Sequence, residues 1–204
     1  MNYSELAFTD AIKKIQLRLG SRLSYERMEK MNSVEGLTEN ETEFFAQIDS
    51  FYIASFGENG YPYIQHRGGP KGFIRVIDEQ HIGIVDFVGN RQYISSGNIS
   101  TNPKVSIIMV SYPLRARLKL YAEASLVNLN ENPELYDFLR PQDYKFKPEQ
   151  MMVFKISAYD WNCPQHIVPK YSTEEVREIL EPQKKYIESL EAEIEQLKEK
   201  LKGQ

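Results

Sequence analysis

Cysteine occurs once in this chain of 204 residues, at position 163, and histidine only three times. A single cysteine excludes an intrachain disulfide framework and suits a reducing compartment. Histidines and a cysteine this far apart give no metal-ligand spacing, so no metal site is expected. There is no excess of positive charge: the formal net charge is −4. That argues against nucleic acid as a main partner, because phosphate backbones need a basic face. No apolar run approaches the length of a membrane span. The N-terminal "MNYSELAFTDAIKKIQ" lacks the apolar core of a signal peptide. The expectation is a cytoplasmic protein with no membrane segment, long enough for one full core or one domain with an appendage.

What is present falls into three parts. The first is helical. "FTDAIKKIQLRLGS" reads as a helix that Thr9 starts, with Ile12, Ile15 and Leu19 on one face and Gly20 as its C-terminal stop. A second helix follows Thr38, whose spacing to Glu41 is that of a capping box, and Phe44, Phe45 and Ile48 supply its apolar stripe.

The second part is strand-like. "FYIASF" and "YPYIQHR" flank a "GENG" turn, and "FIRVID" and "HIGIVDF" form another pair after the break "GGPKG". A short helix is expected over about residues 91–101. Two longer strands, "KVSIIMVSY" and "LRARLKLYAEASLV", meet near Pro113. A short helix around "NPELYDFL" precedes the last strand, "MMVFKISAYDW". Hairpin-like separations between at least six strands predict a mainly β protein with flanking helices, built on an antiparallel sheet closed into a barrel.

The third part, from Ser172 on, is charged and helical, so the chain divides at 1–171 and 172–204. Ile187, Leu190, Ile194, Leu197 and Leu201 are spaced three, four, three, four, as in a heptad seam. Glu193 and Lys198 would face each other across a parallel pair. The seam covers barely two heptads and cannot be stable alone. It either lies on its own barrel or is shared with a second chain. Pro182 is expected at a first-turn position or a kink.

Two stretches could carry chemistry. Arg67 ends a strand before a Gly-rich break, and Arg91 stands where the helix over 91–101 should begin. A helix start carries free N–H groups and partial positive charge, so a cation there suggests a bound anion. Two arginines with backbone N–H groups suit a phosphate dianion. The alternative is that both are solvated or paired with Asp78 or Asp86. "DWNCPQHIVPK", at 160–170, gathers Trp161, Asn162, Cys163, Gln165 and His166. Such a set can wall and hydrogen-bond a planar heterocycle, or it is a structural Trp with turn-forming neighbours. Cys163 has no visible activating base. His66 and His166 are more readily hydrogen-bonding residues than proton donors.

The segment from about Tyr52 to Val127 resembles the pyridoxamine 5′-phosphate oxidase superfamily of FMN-binding split barrels. "GNRQYISSGNISTNPKVSIIM" is similar to that family's S-R-K-A…L…N-P-x-V segment, where a basic pair holds the FMN phosphate. Arg91 matches the arginine, and Gln92 stands where lysine is common. "IQHRGGPKGF", "GNRQYIS" and "DWNCPQHI", with the N-terminal "FT.A…Q..LGSR" helix, resemble a bacterial subgroup of flavin-nucleotide-binding proteins over nearly the whole chain.

The resemblance implies a six-stranded antiparallel split barrel and an FMN-dependent oxidoreductase acting on a small molecule. The alternative is a non-catalytic flavin-binding carrier or stress sensor. It also implies a homodimer with FMN at the subunit interface. Gln65, His66, Arg67, Phe87, Arg91, Gln92, Arg117, Trp161 and Gln165 are the implied cofactor-binding residues, each site being built from both chains with Trp161 expected as a ring wall from the second subunit, and Lys119 is a further cation on the strand of Arg117. No catalytic residue is assigned. The chain lacks the Arg- and His-containing ending that grips a substrate phosphate in true pyridoxamine-phosphate oxidases, so that substrate is not expected.

Overall fold

The structure, a computed structural model, describes residues 2–31, 35–162 and 164–202. Cys163 lies outside them. By contacts the chain forms two compact units, one of residues 1–111 and 116–165 and one of 112–115 and 166–204.

The first unit opens with three helices, α1 (Tyr3–Ala7), α2 (Asp10–Arg18) and α3 (Arg22–Met31). Thr9 is the N-cap of α2, and Gly20 ends it as expected, with φ of 77°. The Ser21 N–H reaches the Gln16 carbonyl at 2.9 Å and the Gly20 N–H reaches Leu17 at 3.3 Å, a complete Schellman stop. The apolar face of α2 is not turned into this chain's core. Ile12, Ile15 and Leu19 are exposed, and the buried residue is Gln16. Its Oε1 accepts from Arg22 Nη1 at 2.8 Å, and Arg22 also bonds Glu26 and Glu29. The "Q..LGSR" stretch is therefore a polar lock on the α2–α3 turn.

Helix α4 (Glu39–Gln47) carries the capping box between Thr38 and Glu41. Phe44, Phe45 and Ile48 are buried beneath it. Among the described residues seven strands follow, one more than a six-stranded barrel: β1 (Ser50–Phe56), β2 (Pro62–Gly68), β3 (Arg75–Asp78), β4 (His81–Phe87), β5 (Lys104–Ser111), β6 (Ala116–Val127) and β7 (Pro148–Asn162). The seventh is the four-residue β3, which pairs only with β4. All observed pairings are antiparallel, in the order β2-β1-β5-β6-β7-β4-β3.

The ladder does not close, yet the sheet curls around one core. Phe51 and Ile53 of β1 share it with Ile82 and Ile84 of β4, each strand one in from opposite ends of the strand order. The barrel is split between β2 and β4. Helix α5 (Ile94–Thr101) follows β4, and α6 (Pro133–Leu139) packs Leu139 into a second cluster with Val85 and Met151. A Cβ on Gly83 would come within 2.9 Å of Leu139, so a glycine lets α6 approach β4.

In the second unit, Ser172 and Glu175 exchange hydrogen bonds at 3.1 and 2.8 Å to cap α7 (Thr173–Lys202). Pro182 lies inside this helix, not in its first turn.

Candidate functional site

The split gathers a polar cluster because strand alternation aims side chains at it from both sides. On β2, Gln65 and Arg67 are half-buried while their neighbours Ile64 and His66 are exposed. On β4, Asp86 continues the inward row of Ile82 and Ile84 and is buried. A register irregularity between Asp86 and Phe87 ends the regular pairing with β7 there, the kind of bulge that re-aims side chains near a site.

Arg67 Nη1 donates to Asp86 Oδ1 at 2.7 Å, an ion pair that spans the split. Gln150, directly opposite Asp86 on β7, donates to Asp86 Oδ2 at 3.3 Å and to the Ser96 hydroxyl at 3.0 Å. Burial pushes the Asp86 carboxyl above its ordinary range, against the opposing pull of the Arg67 charge and the Gln150 hydrogen bond. Of the two acids in reach of the sequence reading, Arg67 takes Asp86. Asp78 instead faces His81 Nδ1 at 2.8 Å in the β3–β4 hairpin.

Gln65 is oriented by two hydroxyls. Its Oε1 accepts from Ser95 Oγ at 2.8 Å and from Tyr63 OH at 3.3 Å. That fixes the carboxamide so that the NH₂ is the group left to meet a ligand.

Arg91 does not begin the helix. α5 starts at Ile94, and Arg91 and Tyr93 sit before it with φ of 61° and 55°, both left-handed. Two such residues bend the chain sharply between β4 and α5 and leave Arg91 and Gln92 exposed at the rim. Tyr93, the N-cap, makes no side-chain cap bond, so the first-turn N–H groups of α5 lack the partner a Ser or Asp would give. Tyr93 OH donates instead to Glu149 at 2.9 Å.

Gln65, Arg67, Phe87, Arg91 and Gln92 thus line one cleft, with Asp86, Tyr93, Ser95, Ser96, Glu149 and Gln150. Two acids offset the two arginines. The pair Arg67–Asp86 is internal, Arg67 Nε is buried with no hydrogen-bond partner, and Arg91 is the exposed cation. The set can receive an anion at the Arg91 rim and the edge of a polar ring near Gln65.

Four expected residues lie elsewhere in this chain. His66 is on the opposite face of β2 from Gln65 and Arg67, its ring 5.3 Å from that of Tyr52, because adjacent strand residues point to opposite sides. Arg117 sits on β6 opposite Val110 and Asn162, and its neighbour Leu118 takes the core-facing position. Lys119, two residues on, pairs with Asp160 at 3.4 Å and covers the Tyr3 ring. Gln165 is exposed in the turn after β7.

Trp161 is no wall of this chain's cleft. Its Nε1 donates to Glu41 Oε1 at 2.6 Å and its ring stands edge-on to Phe44. The capping-box carboxylate also accepts from Tyr159 OH at 3.2 Å. Burial alone would raise the Glu41 carboxyl, but the hydrogen bonds from Thr38, Trp161 and Tyr159 outweigh it and hold it below its ordinary range. Tyr159, buried beside that charge, is pushed up to about 12.

The fold and its cleft define a class, the incompletely closed antiparallel barrel with a polar site at the opening. The family model for pyridoxamine 5′-phosphate oxidase matches residues 37–160, from the start of α4's capping segment to near the end of β7. The chain belongs to that family. The fold is similar to an FMN-binding protein from Syntrophomonas wolfei, with 16% identity, 71% of this chain and 97% of that one covered, and a TM-score of 0.46. It is also similar to HupZ from Group A Streptococcus, with 14% identity, 66% and 100% covered, and a TM-score of 0.47. A third is General Stress Protein 26 from Bacillus anthracis, with 11% identity, 60% and 91% covered, and a TM-score of 0.45. No curated protein matches the chain.

Proposed function

We propose that this protein binds FMN in the barrel split and acts as an FMN-dependent oxidoreductase on a small molecule. The observation that carries the reading is the cleft itself: in a member of this family, an exposed Arg91 and the uncapped start of α5 stand beside a half-buried Arg67 and an oriented Gln65. Arg91, Ser95 and Ser96 would hold the phosphate, and Arg67 would lend its charge from behind. The Gln65 NH₂ would donate to an acceptor on the ring edge. The flavin, when bound, supplies the electron and hydride chemistry that these side chains lack. The chain's own part is to bind, orient and screen it.

The working unit in this reading is a homodimer. One chain's cleft encloses about 40 Å³, below the roughly 300–1,000 Å³ of cofactor pockets, and in this reading a second subunit completes it. The outer face of β1 and β2 suits that contact, since Tyr52, Phe56 and Ile64 are exposed there beside His66.

The test is to purify the protein, measure flavin per chain, and mix it anaerobically with NADH or NADPH in a stopped-flow spectrometer. Fast bleaching of bound FMN supports the oxidoreductase. Bound FMN that neither nucleotide reduces supports the carrier or sensor reading. A colourless protein that takes up no FMN overturns both.

A further inference from the structure

We propose that α7 is one strand of a parallel, two-stranded coiled coil whose other strand is α7 of a second copy of this chain. This inference is independent of the flavin reading. It begins with the length of the helix. α7 runs unbroken for 30 residues through Pro182, so the seam is not confined to Ile187–Leu201. Counting back in heptads from Ile187 at position a puts Leu180, Ile187, Ile194 and Leu201 at a, and Val176, Gln183, Leu190 and Leu197 at d. None of the residues of α7 is buried. The seven apolar seam residues are all exposed, from Leu190 at 38% to Leu201 at 73%. A stripe about 38 Å long, at 1.5 Å per residue, needs a cover of equal length and matching period.

A second α7 supplies that cover, and three features choose the parallel arrangement. Isoleucine at the a positions 187 and 194 with leucine at the d positions 190 and 197 is the pattern of parallel two-stranded coils. Gln183 is the one polar seam residue in the middle of the helix. In parallel it meets its own copy and the two amides hydrogen-bond. In the antiparallel alignment that buries the same seam, it lies against Ile194. Charge complementarity agrees. Parallel strands set Glu193 against the partner's Lys198 and bring no like charges together at the flanking positions. The antiparallel alignment gains an opposite-charge contact of Lys184 with the partner's Glu191 but sets Arg177 against the partner's Lys198. Pro182 falls at position c, on the outer face, so its ring does not enter the seam. The ion pairs Glu181–Lys185 and Lys184–Glu188 then support the solvent side.

The test uses the full chain with Cys163→Ser as background. Leu197→Cys is compared with Glu199→Cys, which lies two residues on at the outward f position. A disulfide requires Cα atoms within about 7 Å. Parallel strands bring residue 197 against its copy, antiparallel strands hold the two about 25 Å apart by helix rise, and position 199 is remote from its copy in the parallel coil. Under mild oxidation at micromolar protein, Leu197→Cys should run almost wholly as a covalent dimer on a non-reducing gel, while Glu199→Cys stays monomeric. Absence of the Leu197→Cys dimer overturns the proposal. So does equal cross-linking at the two positions, which would mean random collision.

Discussion

Replacing Arg91 by Ala isolates the phosphate end of the proposed flavin site. Arg91 is exposed at the cleft rim, three residues before α5, and no ion pair among the described residues engages it. Its loss should leave the fold intact and remove one charged contact. A hydrogen bond to a charged group is worth about 1.5–3 kcal/mol. Solvent screening at the rim favours the lower end, so FMN should bind about 10–30-fold more weakly. Riboflavin, which lacks the phosphate, should bind the variant as it binds the parent. Arg91→Lys should recover part of the loss, because an ammonium keeps the charge but not the guanidinium fork. Titration by quenching of flavin fluorescence at low salt measures all of these, and raising the salt should narrow the gap between parent and variant. An unchanged FMN affinity removes Arg91 from the phosphate. Equal loss for riboflavin shows that Arg91 acts through the shape of its left-handed loop.

Three further perturbations probe what surrounds that site. Glu41→Gln should cost about 2–4 kcal/mol, since it replaces a carboxylate that accepts from Thr38, Tyr159 and Trp161 by an amide that cannot satisfy them all; denaturant melts followed by Trp161 fluorescence would read it. Because the Glu41 carboxyl sits below its ordinary value, its contribution is complete above the usual glutamate range and fades as pH falls through the lowered value, so the variant should lose stability less steeply in acid. Asp86→Ala should cost about 3 kcal/mol by leaving the Arg67 charge without its partner, again read by denaturant melts. The Asp86 carboxyl is raised, so its ionisation opposes folding and acidification from above the raised value relieves that cost; the parent's advantage over an Asp86→Asn variant should change in the opposite sense to that of Glu41. Deleting residues 183–204 should weaken self-association and lower the melting temperature while the truncated chain keeps its flavin and stays dimeric at micromolar concentration in sedimentation velocity; each buried seam leucine is worth about 1.5–3 kcal/mol.

Local signals carried much of the fold. Every strand segment and the α4 capping box could be read from short-range pattern, because hairpins and caps are written within a few residues. The strand count differs because β3 is only four residues long and pairs on one side. Helix α1 is only five residues long, though Asn2 caps it by accepting from the Ser4 and Glu5 N–H groups, and α3 had no such mark. α3 is fixed by Arg22 reaching back to Gln16, a polar contact that hydrophobic periodicity cannot show. The face of α2 was legible as apolar, but not that it stays outside this chain's core.

The candidate site divides along the same line. Gln65 and Arg67 belong together by alternation, and the same rule sends His66 to the other face, beside Tyr52. Asp86 and Gln150 are 64 residues apart, and only the β4–β7 register sets them side by side. Trp161 is placed by a carboxylate 120 residues earlier, away from this chain's own cleft, which is compatible with the expectation that it serves the site of a second subunit. Charge makes the point once more. Counting residues gives the cleft two arginines and two acids, hence no net preference for an anion. Placement breaks the tie. Asp86 is buried and spends its charge on Arg67, across the split it helps to hold. Glu149 is held by the Tyr93 hydroxyl. Arg91 remains exposed at the rim next to the uncapped helix start, which is where the proposed function puts the phosphate.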